Sequence, residues 1–539
     1  MRNTLVKNLG TTLKVAVAAC IVMIISYVVY QAIHLKLWSG NAQTGIKELS
    51  KKEKIEDFEY LTRYVKDIYP YSDAIVQYKR LDDLRSLEKE YIDRAGETSN
   101  NTEFFQLVYE YSQRLRQGDG HIGVYFGTNR PSNNNYVHYY FNDIPKSTYY
   151  KTDYWGQEAA KFQWYAFSDA DVVYKDGKYI LNEEYAFPDL TLPAGTIIVG
   201  IDGMQTDEYV NTLQNKTRLQ VDADLNKNFV TTLFSIRPST GFDYWTVDFQ
   251  TKDGEVFTRK VKALNAAEDA GNGLASFQYP NMVCKEIDED TGYIKIFTFD
   301  RQSIREDNQI IQDFMQASHG KYKKLILDVR GNTGGELEYW GENIIRPLLK
   351  ESKSFVQYSA IRKKFFEQMG IRYPIYRRVM KNDLLQKDLY HIDKVEKTVL
   401  PGFSEQDWDI FKITKTFTPH NSFPFNGKVY ILTDRDTFSA ADSFAVAAKR
   451  TQLGQVVGTY TGGSGSAFIA PVDIALPHSQ MMLRMNVELT LDEEVQPNQI
   501  LGTAPDVALQ ASTFPTTNPN SLEVHDLVQD PWIDWVIHH

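Results

Sequence analysis

Residues 429–450 read VYILTDRDTFSAADSFAVAAKR. An apolar strand, Val429–Thr433, runs into a short polar turn. A small-residue helix then starts just after Ser439. A strand–turn–helix unit of this kind belongs to an α/β sheet, and it sets Ser439 at the strand's C-terminal edge, near the positive end of a helix dipole. Two readings of Ser439 follow. It is an N-cap that satisfies the first helical N–H groups, or it presents a nucleophile. Asp442, one turn on, either shapes a substrate pocket or favours the helix N-terminus electrostatically.

The neighbouring sequence repeats the unit. GYIKIFTF (292–299), KLILDVRG (324–331) and GQVVGTY (454–460) read as strands, and NQIIQDFMQASH (308–319) reads as a helix. Alternation of this kind predicts a mostly parallel sheet with ligands at the strand C-termini. The core is expected over 285–510. Residues 341–424, long, aromatic and charged, are expected to be an inserted helical segment, and 511–539 a C-terminal tail. After LILDV, the run Arg330-Gly331-Asn332-Thr333-Gly334-Gly335 has paired glycines that free backbone N–H groups to converge on one point, as an oxyanion hole requires. Ala440 N–H is a second candidate donor.

Upstream, 185–262 is β-rich. PAGTIIVGIDGMQTDEYVNTLQ (193–214) orders strand, Asp-Gly turn and helix, and YWTVDFQTKDGEVFTRKVKAL (244–264) is a hairpin about Asp253-Gly254. This order resembles a PDZ domain over 180–265, with any small β-domain as the alternative. Residues 55–135 are expected to be a helical domain, because Phe58, Leu61, Tyr64 and Val65, then Phe104, Phe105, Val108, Tyr109 and Leu115, recur three and four apart. The helical run breaks at QGDGHIGVYFG (117–127). There His121 is flanked by glycines and reads as a positioned base more than as a packed side chain.

Residues 15–33 carry no charge, and at about 1.5 Å per residue they nearly match a hydrocarbon core of about 30 Å. Arg2, Lys7 and Lys14 precede them. The expected arrangement is a cytoplasmic segment 1–14, a membrane anchor 15–33, a stalk 34–54 and the bulk outside the cell, at a bacterial surface. A cleaved signal peptide is the alternative. The chain has 539 residues, 42% of them hydrophobic, enough for several domains. A net charge of −11 without a long basic run argues against nucleic acid as a partner. Cys20 and Cys284 form no metal-binding spacing, so neither a metal nor an organic cofactor is expected.

LILDVRGNTGG, VYILTDRDTFSAADSFA, VVGTYTGG and GTAPDVAL, in that order after a PDZ-like segment, resemble the S41 peptidases, the C-terminal processing and tricorn-core-like serine peptidases. The resemblance implies a ClpP/crotonase-like spiral core acting on peptides or unfolded protein. In the processing branch a lysine sits in the loop that here reads Thr461-Gly462-Gly463-Ser464-Gly465, and Ser464 holds its place. The tricorn-like branch takes a histidine from the N-terminal region. The resemblance therefore implies Ser439 as nucleophile, His121 as base, and Gly334 or Gly335 with Ala440 as oxyanion donors. It places the histidine-orienting acid near 488–499, where Glu493, Glu494 and Gln499 stand. If none of them reaches His121, the orienting group is to be sought near Asp119 or in the PDZ-like domain. A catalytically silent peptide- or apolar-ligand-binding protein on the same fold is the alternative function. The sequence does not set the oligomeric state.

Overall fold

The strand that leads to Ser439 lies near the middle of a six-stranded sheet. In the computed structural model, which describes residues 46–71, 87–126, 139–140, 148, 151–161, 166–222, 225–236, 242–265, 280–317, 320–369, 390–395, 403–404, 406–420, 425–465, 471–509 and 522–539, this sheet runs Met282–Asp288, Thr291–Ile296, Lys324–Asp328, Lys428–Thr433, Gln455–Gly458, Val507–Ala508. The first pair is antiparallel and the other four are parallel. Alternate residues serve opposite faces, as the pleat dictates. Leu325, Leu327, Val429, Ile431 and Val456 pack under the helices Ile304–Ala317 and Ala440–Arg450. Ile326, Tyr430, Leu432 and Val457 pack against Leu527, Trp532, Ile533 and Val536.

That second packing corrects one expectation. Residues 522–539 are no tail. The helix Pro531–His538 covers the back of the sheet, and Asp530 caps it by accepting from Trp532 N–H (2.8 Å) and Ile533 N–H (3.2 Å). Asp530 also accepts from Arg330 at 2.7 Å, with both side chains fully buried. Its short length and the polar residues before it hid this helix in the sequence.

The insertion is a second correction. Its described part is mainly antiparallel strand. Tyr390–Lys394, Trp408–Phe417 and Lys353–Arg362 join Glu488–Leu491 in one sheet, with Lys353 opposite Phe417 and Arg362 opposite Trp408. Among its described residues helix is confined to the short pieces Arg346–Leu348 and Lys363–Met369, after a π-helical turn at Gly341–Ile345. WDIFKITKTF alternates inward and outward residues over much of its length, a strand signature.

The N-terminal helices form as expected, at Lys51–Ile68, Glu88–Glu97 and Asn101–Arg116, with Phe58, Leu61, Val65, Phe104, Phe105, Val108 and Leu115 buried. The first begins inside the expected stalk, because Ser50 and Glu53 close a capping box there. Residues 172–262 form an antiparallel sheet, in the order Val256–Lys262, Tyr244–Gln250, Ile197–Ile201, Lys178–Leu181, Val172–Lys175, beside the helix Thr206–Thr212. Its outer hairpin turns at Gly254, whose φ of 86° suits glycine. Among the described residues no helix is long and apolar enough to cross a membrane. The expected anchor at 15–33 lies outside the described residues.

Candidate active site

Ser439 sits at φ 57° and ψ −121°, and its side chain makes no capping bond. The N-cap reading therefore fails. A non-glycine residue held in this region costs about 1–3 kcal/mol and persists only when its surroundings enforce it. Here the enforcement is visible. Ser439 N–H donates to Gly463 O at 2.9 Å, and Ser443 N–H donates to Ser439 O at 3.0 Å. Asp434 organises the turn ahead of it, accepting from Thr437 N–H (2.9 Å), Asp436 N–H (3.1 Å) and, across the site, Gly331 N–H (2.9 Å). A sharp strand-to-helix turn of this kind lifts a hydroxyl out of the backbone's reach.

His121 Nε2 lies 2.8 Å from Ser439 Oγ. The two are 318 residues apart in sequence, so tertiary pairing must bring them together. Gly123 and Val124 pair with Arg484 and Leu483, stitching the loop after the helix Asn101–Arg116 to the core. Gly120 has to be glycine, since a Cβ there would stand 2.5 Å from the Phe438 ring. The imidazole itself lies over Phe438, ring centres 5.2 Å apart.

The carboxylate beside His121 is that of Asp119. It is 1% exposed. Its Oδ1 accepts His121 N–H at 3.0 Å and Asn486 Nδ2–H at 2.8 Å, and its Oδ2 accepts Asn486 N–H at 3.1 Å. His121 Nδ1 lies 3.4 Å from Oδ1. Burial alone would raise this carboxyl, but the contacts with His121 and Asn486 prevail and hold it below its ordinary value. The local signal was present in GDGH: an aspartate accepting the N–H two residues on is an ordinary Asx turn.

The residues expected to orient His121 engage other partners. Glu493 accepts from Val356 N–H (2.9 Å) and pairs with Arg450, as does Glu494. Gln499 is buried, its Oε1 accepting from Tyr71 Oη–H (2.6 Å) and Thr490 N–H (2.8 Å). Asp442 lies in the interior. It is fully buried, with Thr461 and Thr503 hydroxyls donating at 2.6 Å each and Gly465 N–H at 3.1 Å. Burial raises its carboxyl, against those donors. Asp442 thus ties the helix to two loops, because its side chain points inward from a helix turn that faces them.

The two glycines are not equivalent. Gly334 N–H is given to Asn332 Oδ1 at 2.8 Å, which removes it as an oxyanion donor. Gly335 bridges Phe299 in parallel fashion through Phe299 N–H to Gly334 O (2.9 Å) and Glu336 N–H to Phe299 O (2.8 Å). Such a bridge leaves the N–H of Gly335 itself pointing away from Phe299. Gly334 instead provides closeness: a Cβ there would stand 2.7 Å from Ala440 N and 2.9 Å from Ser439 Cβ. Ala440 N–H opens the helix and has no intrahelical acceptor. Among the described residues no group of three or more His, Cys, Asp and Glu side chains is placed to hold a metal ion.

Residues 290–509 match the model of peptidase family S41. Over this region the chain is an S41 family serine peptidase. No curated protein matches it. Among solved structures, mature CPAF complexed with lactacystin aligns at 15% identity over 90% of this chain and 97% of that one, with a TM-score of 0.53. A CPAF mutant aligns at 15% identity over 90% and 96%, with a TM-score of 0.54. At such identity these matches show a shared fold. The tricorn protease aligns at 14% identity over 90% of this chain and 36% of that one, with a TM-score of 0.36. The matched S41 region contains Ser439, Gly335 and Ala440, whereas His121 and Asp119 come from outside it.

Proposed function

We propose that this S41 peptidase cleaves peptide bonds in peptides or unfolded protein with Ser439 as nucleophile, His121 as general base and Asp119 as the group that orients His121. The observation that carries this reading is the 2.8 Å contact between His121 Nε2 and Ser439 Oγ, made by a serine held in a strained turn. A hydroxyl is a weak nucleophile until a neutral imidazole takes its proton. With Asp119 ionised, the proton of the neutral ring resides on Nδ1, facing the carboxylate, and Nε2 is free to accept. As Ser439 Oγ bonds to the scissile carbonyl carbon, its proton passes to Nε2 and the carbonyl oxygen becomes an oxyanion. Gly335 N–H and Ala440 N–H are the donors for that oxyanion. The imidazolium then protonates the leaving amine, and water releases the acyl group by the reverse sequence.

The sheet at 172–262 supports a PDZ-like reading by its strand, Asp202-Gly203 turn and helix order. A PDZ-like domain adds an extended peptide at its sheet edge, which suits an unfolded substrate. The uncharged run 15–33 behind Arg2, Lys7 and Lys14 supports an N-in membrane anchor, with the peptidase outside the cytoplasm.

A fluorophosphonate probe tests the catalytic reading without knowledge of the substrate. The parent chain is expected to label at Ser439, with Ser439→Ala and His121→Ala unlabelled. Labelling that survives His121→Ala ends the assignment of the base. A carbonate wash tests the anchor: release of the full-length chain from membranes argues against it.

A further inference from the structure

We infer that Ser464, which stands where processing-branch relatives have lysine, is a positioning residue that locks the base onto the nucleophile. The inference rests on the catalytic roles proposed above for Ser439 and His121.

The two reacting side chains belong to different parts of the fold. His121 follows an N-terminal helix, and Ser439 opens a core helix. The loop Thr461–Gly465 joins them by a short path. Gly463 O accepts Ser439 N–H at 2.9 Å, Gly462 N–H donates to Thr437 O at 2.8 Å, and Phe438 bridges Gly463. The next residue turns to the other side. Ser464 Oγ accepts Gly120 N–H at 3.2 Å, one residue before His121. The loop is itself anchored, by Ser464 N–H to Gln499 O (2.8 Å), by Gly465 N–H to Asp442 Oδ2 (3.1 Å) and by Arg218 to Gly462 O (2.7 Å).

The backbone at Ser464 supports a functional reading. Its φ is 58°, directly after Gly463 at 77°. Glycine adopts this conformation more cheaply than serine, so a serine here works against the fold. Its side chain is 3% exposed, and its one described side-chain partner is the backbone of the base loop. A lysine takes a proton from serine only as its neutral amine. A serine at the same place holds the loop that carries an imidazole.

The decisive variant is Ser464→Gly. It removes the hydroxyl and relieves the backbone, so stability and activity are expected to move in opposite directions. Tm should equal or exceed that of the parent. The kcat for a peptide substrate should fall tenfold or more, within the range that small misplacements of a reacting group produce. KM should stay within threefold, and the acid limb of the pH profile should keep its position, since no charge changes. Ser464→Ala should lose as much kcat without the gain in Tm. A fall in kcat of less than tenfold overturns the inference. So does a Ser464→Gly chain with a lowered Tm, because the hydroxyl then serves the fold. Ser439→Ala and His121→Ala in the same assay separate the two levels. If both are inactive and Ser464→Gly is active, only the latch fails. If either retains activity, the catalytic assignment beneath it fails.

Discussion

Replacing Asp119 with asparagine separates orientation of the base from its presence. The amide oxygen at the Oδ1 position keeps the bonds from His121 N–H and Asn486 Nδ2–H, but the amide NH₂ then meets Asn486 N–H, a donor facing a donor. The flipped amide sets its NH₂ beside His121 Nδ1. That favours the tautomer protonated on Nε2, which cannot take the Ser439 proton. Either way the imidazolium loses the carboxylate 3.4 Å from Nδ1. At an effective dielectric of about 20 that attraction has a ceiling of about 5 kcal/mol. Loss of the equivalent carboxylate in a serine triad costs about 10⁴ in kcat. We expect kcat to fall by about 10²–10⁴, read with a fluorogenic peptide and checked by the rate of fluorophosphonate labelling. The acid side should change as well. The folded pKa of Asp119 lies below its ordinary 3.8. The stability that its ionised form contributes is therefore fully present above that value and lost as pH falls through the lowered one. Asp119→Asn should flatten that part of the acid-unfolding curve. A folded Asp119→Asn chain with kcat within tenfold of the parent would refute the assignment and leave Asp119 as a structural clamp.

Ser439→Gly should abolish hydrolysis yet raise stability by about 1–3 kcal/mol in urea unfolding, because glycine tolerates the φ of 57°. Gln499→Glu should give no gain in kcat and a lower Tm, since its side chain serves Tyr71 and Thr490 and a buried carboxylate there finds no cation in those two partners. Asp530→Ala should cost about 3–5 kcal/mol by breaking a buried pair and removing a helix cap, measured by urea unfolding. A loss under about 1 kcal/mol would show the pair to be incidental.

The sequence by itself determined the elements whose signals are local. Strand-to-helix turns at Arg330–Gly335 and Asp434–Ser439, the three-and-four spacing of the N-terminal helices and the Asp253-Gly254 hairpin depend on residues within a few positions of one another. Their periodicity and turn chemistry are legible without the fold. The strand character of Trp408–Phe417 was equally present as alternation, masked by the aromatic and charged composition around it. Tertiary structure decided what local chemistry leaves degenerate. That Ser439 does not cap the helix turned on a backbone conformation imposed by Gly463 and Asp434, residues from a neighbouring loop and from the turn itself. Gly334 and Gly335 read alike in sequence, and only the Asn332 side chain and the Phe299 bridge separate them. The carboxylate beside His121 shows the same physics. Family spacing pointed to 488–499, where the glutamates face Arg450 and Gln499 faces Tyr71. Asp119 lay two residues from the histidine, and its hydrogen bonding depends on Asn486, 367 residues away. A carboxylate's environment is set by whatever the fold brings within hydrogen-bond reach, and sequence distance carries no information about that.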